Sequence, residues 1–277
     1  MDSSLRSEWR LSDWKSCFLV VIQQRNNMNL LALDTSTEFL SLALKLDDEI
    51  FTHYQAAGSA SSQLVLPQIQ VLLDSANIKL SDLDGIAFGA GPGAFTGVRI
   101  ASGVAQGLGF GANLPVVGIN TLTAVAEASG QQKVIVCLDA RMGEIYHAAL
   151  IKQNGVWVEI SETKVCKPQA APLLEGSDWV GAGSGWATYG EVLTQIYANN
   201  LSQILANVLA EITPTAEAIL RLAQPTFESG QARPAIEAMP IYIRNRVALT
   251  TLEREQGLRL WWYDHSTGSW LAMNGLF

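Results

Sequence analysis

Two aspartates each close an apolar run that reads as a buried strand: Leu30-Leu31-Ala32-Leu33-Asp34 and Val134-Ile135-Val136-Cys137-Leu138-Asp139. A carboxylate at a strand end, beside turn amides, is what a site needs to hold a divalent cation and nucleotide phosphates. The turns that follow, Thr35-Ser36-Thr37 and Ala140-Arg141-Met142-Gly143, lack the glycine run that lets a backbone close on a phosphate. An aspartate capping its own turn explains each position as well. Gly91-Pro92-Gly93-Ala94-Phe95-Thr96-Gly97 leads into a helix, whose first free amides attract anions. No Walker lysine follows, so a tight strand-to-helix connection is the alternative. Gly181-Ala182-Gly183-Ser184-Gly185 is either a close approach to an adenine or ribose or a plain glycine turn. Asp34, Thr35, Gly91, Gly93, Thr96, Gly97, Asp139, Arg141, Gly183 and Gly185 together make the candidate vestigial nucleotide or phosphate site.

Other chemistries find no support. Cys17, Cys137 and Cys166 are far apart with no CxxC, so neither a disulfide framework nor a thiolate metal site is indicated. His53, His147 and His265 form no HxxH or HExxH pair, so no metal centre is expected. Cys137 lies inside an apolar run and reads as a packed, inert thiol. Net charge is −8 and the pI is about 4.9. A chain that grips RNA alone carries a basic face, so any work on RNA needs a more basic partner. With 48% apolar and 16% charged residues the chain is globular, and no apolar run reaches membrane-spanning length.

The elements that position these residues follow an α/β order. Leu30–Asp34, Phe39–Leu46 and Ile50–Gln55 read as strands, and Ser61–Ser75 as a helix with Leu64, Val65, Ile69, Leu72 and Leu73 on its apolar stripe. Gly85–Gly89 is a short strand, Val98–Phe110 a helix, Val116–Gly118 a strand and Thr121–Ala128 a helix. Lys133–Asp139 restarts the strand–turn–strand pattern, the trace of either a duplicated lobe or ordinary α/β repetition. Val156–Val165 reads as a strand and Glu191–Tyr197 as a helix. Thr213-Pro214 starts another, with Ala216, Ile219, Leu220 and Ala223 inward. Residues 1–27 read as a leader outside the fold and 257–277 as an appended, tryptophan-rich tail, or else both ends pack on the body as ordinary apolar edges.

One helix carries an unusual cost. Gly103, Gly107 and Gly111 recur every four residues, beside Ala101, Ser102 and Ala105. Each interior glycine costs about 1 kcal/mol against alanine. Small residues at i and i+4 let another helix approach closely, either within the same lobe or from another chain.

Four segments make a resemblance specific: Leu31-Ala32-Leu33-Asp34-Thr35-Ser36-Thr37, Gly91 to Ile100, Asp139-Ala140-Arg141-Met142-Gly143-Glu144-Ile145-Tyr146, and Pro240-Ile241-Tyr242-Ile243-Arg244-Asn245. In order and spacing they resemble the bacterial TsaB (formerly YeaZ) family of tRNA threonylcarbamoyladenosine biosynthesis proteins, over about residues 28–250. The resemblance implies an α/β chain of the actin-like ATPase (ASKHA) fold: two RNase H-like lobes with mixed sheets and flanking helices. The lobes would be residues 28–132, with a helix at about 213–229 packing back on it, and residues 133–250.

It also implies a non-catalytic, cytoplasmic subunit that pairs with the catalytic TsaD and the ATPase TsaE. That assembly transfers threonylcarbamoyl from its adenylate to N6 of adenosine 37 in tRNAs reading ANN codons. The chain would have no cofactor of its own, with ATP and a divalent metal at the partner subunits. It would reach tRNA only through the complex and homodimerise when TsaD is absent. The implied interface lies on the helices at about 61–75 and 97–111: Leu64, Val65, Gln68, Leu72, Arg99, Gly103, Gln106, Gly107 and Gly111. Many relatives carry a histidine six residues before the proline of the first helix; here Ser61 stands at that place before Pro67. The competing reading is a stand-alone actin-like ATPase or small-molecule kinase using Asp34 or Asp139. A peptidase, once suggested for the family, would need a nucleophile–base pair that the sequence does not offer.

Overall fold

The computed structural model describes residues 28–202 and 207–243 and the backbone of 261–264 and 269–272. The proposed leader 1–27, Arg244, Asn245 and His265 lie outside the described residues.

Two compact units divide the chain. The first holds residues 28–89, 95–119 and 214–239. Its sheet is built on β1 (Leu30–Asp34), β2 (Phe39–Leu46), β3 (Glu49–Ala56), β4 (Gly85–Gly91) and β5 (Val116–Asn120), in the order β3-β2-β1-β4-β5. β1 pairs antiparallel with β2 and parallel with β4, so the sheet is mixed. All five residues of β1 are buried, the continuous apolar pattern of a strand covered on both faces. Helix α1 (Ser61–Ser75) packs on β2 and β3, α2 (Phe95–Ala112) on β1 and α1, and α5 (Ala216–Glu228) on β1, β2 and β3. The cap of α5 is Thr215, whose Oγ1 accepts from the Ala218 amide at 3.3 Å, rather than Thr213. Pro214 cannot donate an amide, so the helix starts after it. Ser41 Oγ accepts the Ala216 amide at 2.9 Å and ties α5 to β2.

The second unit holds residues 90–94, 120–213 and 240 onward. Its sheet uses β6 (Lys133–Arg141), β7 (Glu144–Gln153), β8 (Val156–Cys166), β9 (Val180–Ala182) and β10 (Val208–Leu209), in the order β10-β9-β6-β7-β8. Read from β8, that is the order of the first sheet, again with an antiparallel second strand and a parallel fourth. Alternation along β6 sends Val134, Val136 and Leu138 to a core with helix α3 (Thr121–Ala128). Ile135 and Cys137 go to a second core with Trp179, Trp186, Leu193 and Tyr197 on and around helix α4 (Ser184–Ile196). Because α3 packs on β6 and β7, the unit boundary falls at 119/120 rather than after 132. β11 (Trp261–Asp264) and β12 (Ser269–Ala272) pair as an antiparallel hairpin. The repeated order makes the chain two RNase H-like lobes of the actin-like ATPase type.

Candidate functional site

Helix α2 turns one stripe to solvent. Phe95, Arg99, Gly103, Gly107 and Gly111 follow one another at four-residue steps and are all exposed. A Cβ added at Gly103, Gly107 or Gly111 would meet nothing within 4 Å. Among the described residues, these glycines therefore serve no packing inside their own unit. Gly109 differs: its Cβ would press on Ala235 Cβ at 2.9 Å and Leu114 O at 3.1 Å.

The open glycines floor a groove of about 330 Å³ lined by Gly103, Gln106, Gly107, Phe110 and Ile236. Phe110 is 73% and Ile236 68% exposed, so the rim of the groove is apolar. Ile236 comes from the far end of the chain, on a short 3-10 turn, Ala235–Glu237. A β-bridge between Val116 and Arg233 brings that turn in, and Gln106 Nε2 donates to Ile236 O at 3.3 Å. At the other end of the stripe the Arg99 guanidinium stacks over the Phe95 ring, 3.2 Å from its centroid, and donates to Phe95 O.

On α1 the structure rotates the expected face. Val65 and Leu72 are buried under the helix against the sheet, so neither is available to a partner. Their spacing follows the core stripe with Ile69 and Leu73. Leu64 and Gln68 are half-buried at the rim, and Val71, one turn on, is exposed. Phe110, Ile236, Met239 and Val71 were not legible as surface from the sequence; the only signal was their excess apolarity outside a helical core stripe.

The two strand-end aspartates differ sharply. Asp34 is buried; its Oδ1 accepts from Ser36 N at 3.0 Å and Ser36 Oγ at 2.9 Å, and its Oδ2 has no partner. Thr35 Oγ1 donates to Gly97 O at 2.7 Å, and a Cβ on Gly97 would fall 1.8 Å from Thr35 O. Asp34, Thr35 and Gly97 thus close on one another as a packed junction, with Gly91 also buried, while Gly93 and Thr96 are more open.

Asp139 caps its own turn, accepting from Arg141 N at 2.8 Å and Arg141 Nη1 at 3.3 Å, with the arginine side chain at the surface. Ser184 Oγ accepts the Asp139 amide at 3.1 Å, which places Gly183 and Gly185 beside it. A Cβ on either glycine would strike Cys137 backbone atoms within 3 Å, so both serve a close strand–helix contact. Among the described residues no three His, Cys, Asp or Glu side chains are grouped to hold a metal ion, and no helix is long and apolar enough to cross a membrane. Ser61 is buried and donates to Gly58 O at 2.8 Å.

A family model described as TsaD, tRNA N6-adenosine threonylcarbamoyltransferase, matches residues 53–250. The chain is 35% identical over 230 residues to the tRNA threonylcarbamoyladenosine biosynthesis protein TsaB of Escherichia coli (strain K12), covering 80% of this chain and 96% of that one. To the protein of the same name from Haemophilus influenzae it is 37% identical over 235 residues, covering 80% and 95%. Among solved structures, YeaZ from Pseudomonas aeruginosa superposes with a TM-score of 0.68 at 38% identity, covering 78% of this chain and 99% of that one.

Proposed function

The chain belongs to the TsaB family of tRNA threonylcarbamoyladenosine biosynthesis proteins, and from that membership we propose that it is the docking subunit of the threonylcarbamoyl transferase rather than its catalyst. It pairs in the cytoplasm with a TsaD-like catalytic subunit, joined by a TsaE-like ATPase. ATP, a divalent metal and tRNA are engaged by those partners. The same face pairs two copies of this chain when TsaD is absent.

The observation that carries this reading is the open glycine floor of α2 between Phe95–Arg99 and Phe110–Ile236. The two solvent-facing glycines inside the helix, Gly103 and Gly107, cost about 2 kcal/mol in propensity against alanine, and Gly111 continues the stripe in the last turn. Among the described residues of the unit nothing uses the space they leave. A helix of another chain laid across that floor would bury Phe110 and Ile236 and make the close backbone contact that glycine permits. The net charge of −8 supports the delegation of RNA contact to a partner.

The test is a reconstituted transfer assay with the organism's TsaD and TsaE homologues, ATP and a divalent metal. Modified tRNA is expected only when this chain is added, and none from this chain alone. Transfer by the chain alone, or full transfer in its absence, overturns the proposal.

A further inference from the structure

Asp34 stands at the end of β1, opposite Ser41 of β2 and beside Gly89 of β4. Both donors that reach it go to Oδ1. Oδ2 is buried without a partner and lies so close over Gly89 that a Cβ there would be 1.8 Å away, with Ile219 Cδ1 of α5 on the same spot. A charge on a carboxylate oxygen buried among carbon atoms with no protein donor is costly to hold. The neutral acid costs less: Oδ1 is its carbonyl oxygen and accepts both bonds, and Oδ2 is its hydroxyl, a buried donor without an acceptor but also without a charge.

We propose that Asp34 is held as the neutral acid and acts as a positioning residue, rooting the turn on which the first turn of α2 is seated. The seat is the next residue, Thr35, through its hydrogen bond to Gly97 O and the contact of its own carbonyl on Gly97 Cα. Ionising Asp34 puts an unpaired charge at the root of that seat. It is relieved only if the turn moves to admit water, and the N-terminal turn of α2 loosens with it. The effect on docking rests on the function proposed above; the protonation state and the seating of α2 do not.

Burial pushes the Asp34 carboxyl up to about 7, against the bonds from Ser36 that pull it down. Charged groups on the surrounding elements are Glu38 on the turn, Lys45 on β2, Arg99 on α2 and Glu217, Arg221 and Glu228 on α5; none of them shifts Asp34. The sign follows. Between the ordinary carboxylate value of 3.8 and about 7 the folded chain holds a proton that the unfolded chain has lost, so stability falls as pH rises through that window.

The experiment compares wild-type chain with Asp34→Asn, the permanently neutral isostere, without any partner. Relative to Asp34→Asn, the wild-type folding constant is expected to fall on the order of a thousandfold from pH 4 to pH 8. Amide exchange at residues 97–100, corrected for its intrinsic pH dependence, is expected to quicken at pH 8 in the wild type only. A difference that does not vary with pH, or an Asp34→Asn chain less stable than wild type at pH 8, overturns the proposal. Should Asp34→Asn not fold, the carbon-13 carboxyl shift of Asp34 in the wild type decides: a midpoint near 7 supports it and one near 4 refutes it.

Discussion

The two units mount different helices on one strand order. In the first, α1 and α2 stand side by side, and α2 turns Gly103, Gly107 and Gly111 to solvent. In the second, the place between the third and fourth strands, where α1 would be, holds only the 3-10 turn Pro168–Ala170. Helix α4 follows its fourth strand as α2 does, but Gly185 is packed on Cys137 and Trp186 is buried over Gly181. Among the described residues no exposed large apolar side chain lies on α4. The aspartates repeat the contrast: Asp34 is sealed in, and Asp139 is paired with a surface arginine. A duplicated sheet is a scaffold; the capacity to dock depends on which way the mounted helices turn their small residues.

Four perturbations sharpen that contrast. The largest effect is expected where glycine is packed. Gly97→Ala drives a Cβ into Thr35 O and Gly185→Ala drives one into Cys137, each costing about 3–5 kcal/mol by urea denaturation.

Next is acid unfolding of the second unit. Tyr197 Oη donates its only proton to Pro172 O at 2.8 Å, so it accepts from His147 Nε2 at 2.9 Å, and Nδ1 is left buried without a donor. Burial, with Lys164 adding to it, pulls His147 down to about 4. The folded chain therefore holds fewer protons than the unfolded one between about 4 and 6.5. Stability is complete above 6.5 and declines as pH falls to 4, by about 3 kcal/mol. His147→Gln should remove that slope, which runs opposite to the slope from Asp34.

Tyr197→Phe strips both hydrogen bonds and should cost about 1–2 kcal/mol. The smallest effect has the opposite sign: Gly103→Ala, with open space for its methyl, should raise stability by up to about 1 kcal/mol. A loss of stability there would mean the glycine serves its own unit after all.

Much of this was legible in the chain. β1, β2, α1 and α3 fall at the bounds their periodicity predicts, because core stripes and strand runs are written in local apolar spacing. Glycine-rich helix starts are the exception. α2 begins at Phe95 rather than Val98, since Gly97 looks like a loop residue; α4 kinks at Tyr189 (φ −124°, ψ 22°), so the helix expected from Glu191 is its second piece, and the piece from Ser184 is hidden by Gly185, which also looks like a loop residue. Only the close contacts with Thr35 and Cys137 explain a glycine inside a helix start. The open stripe was legible as spacing, but not its direction, which depends on the sheet beneath. Ile236 could not be found at all, because a β-bridge at Arg233 and not sequence proximity brings it to Gln106. Val65 and Leu72, which the resemblance placed on the interface, lie in the core stripe with Ile69 and Leu73, because an apolar helix stripe does not say which of two covers it meets.

The direct test is calorimetric titration of the organism's TsaD homologue into wild-type chain and into Gly107→Leu. The leucine enters open space in the free chain, so the variant should fold with a Tm at or above wild type. It should bind at least about a hundredfold more weakly, near 3 kcal/mol, because the floor of the groove is filled. A folded Gly107→Leu chain that binds as tightly as wild type would contradict the account.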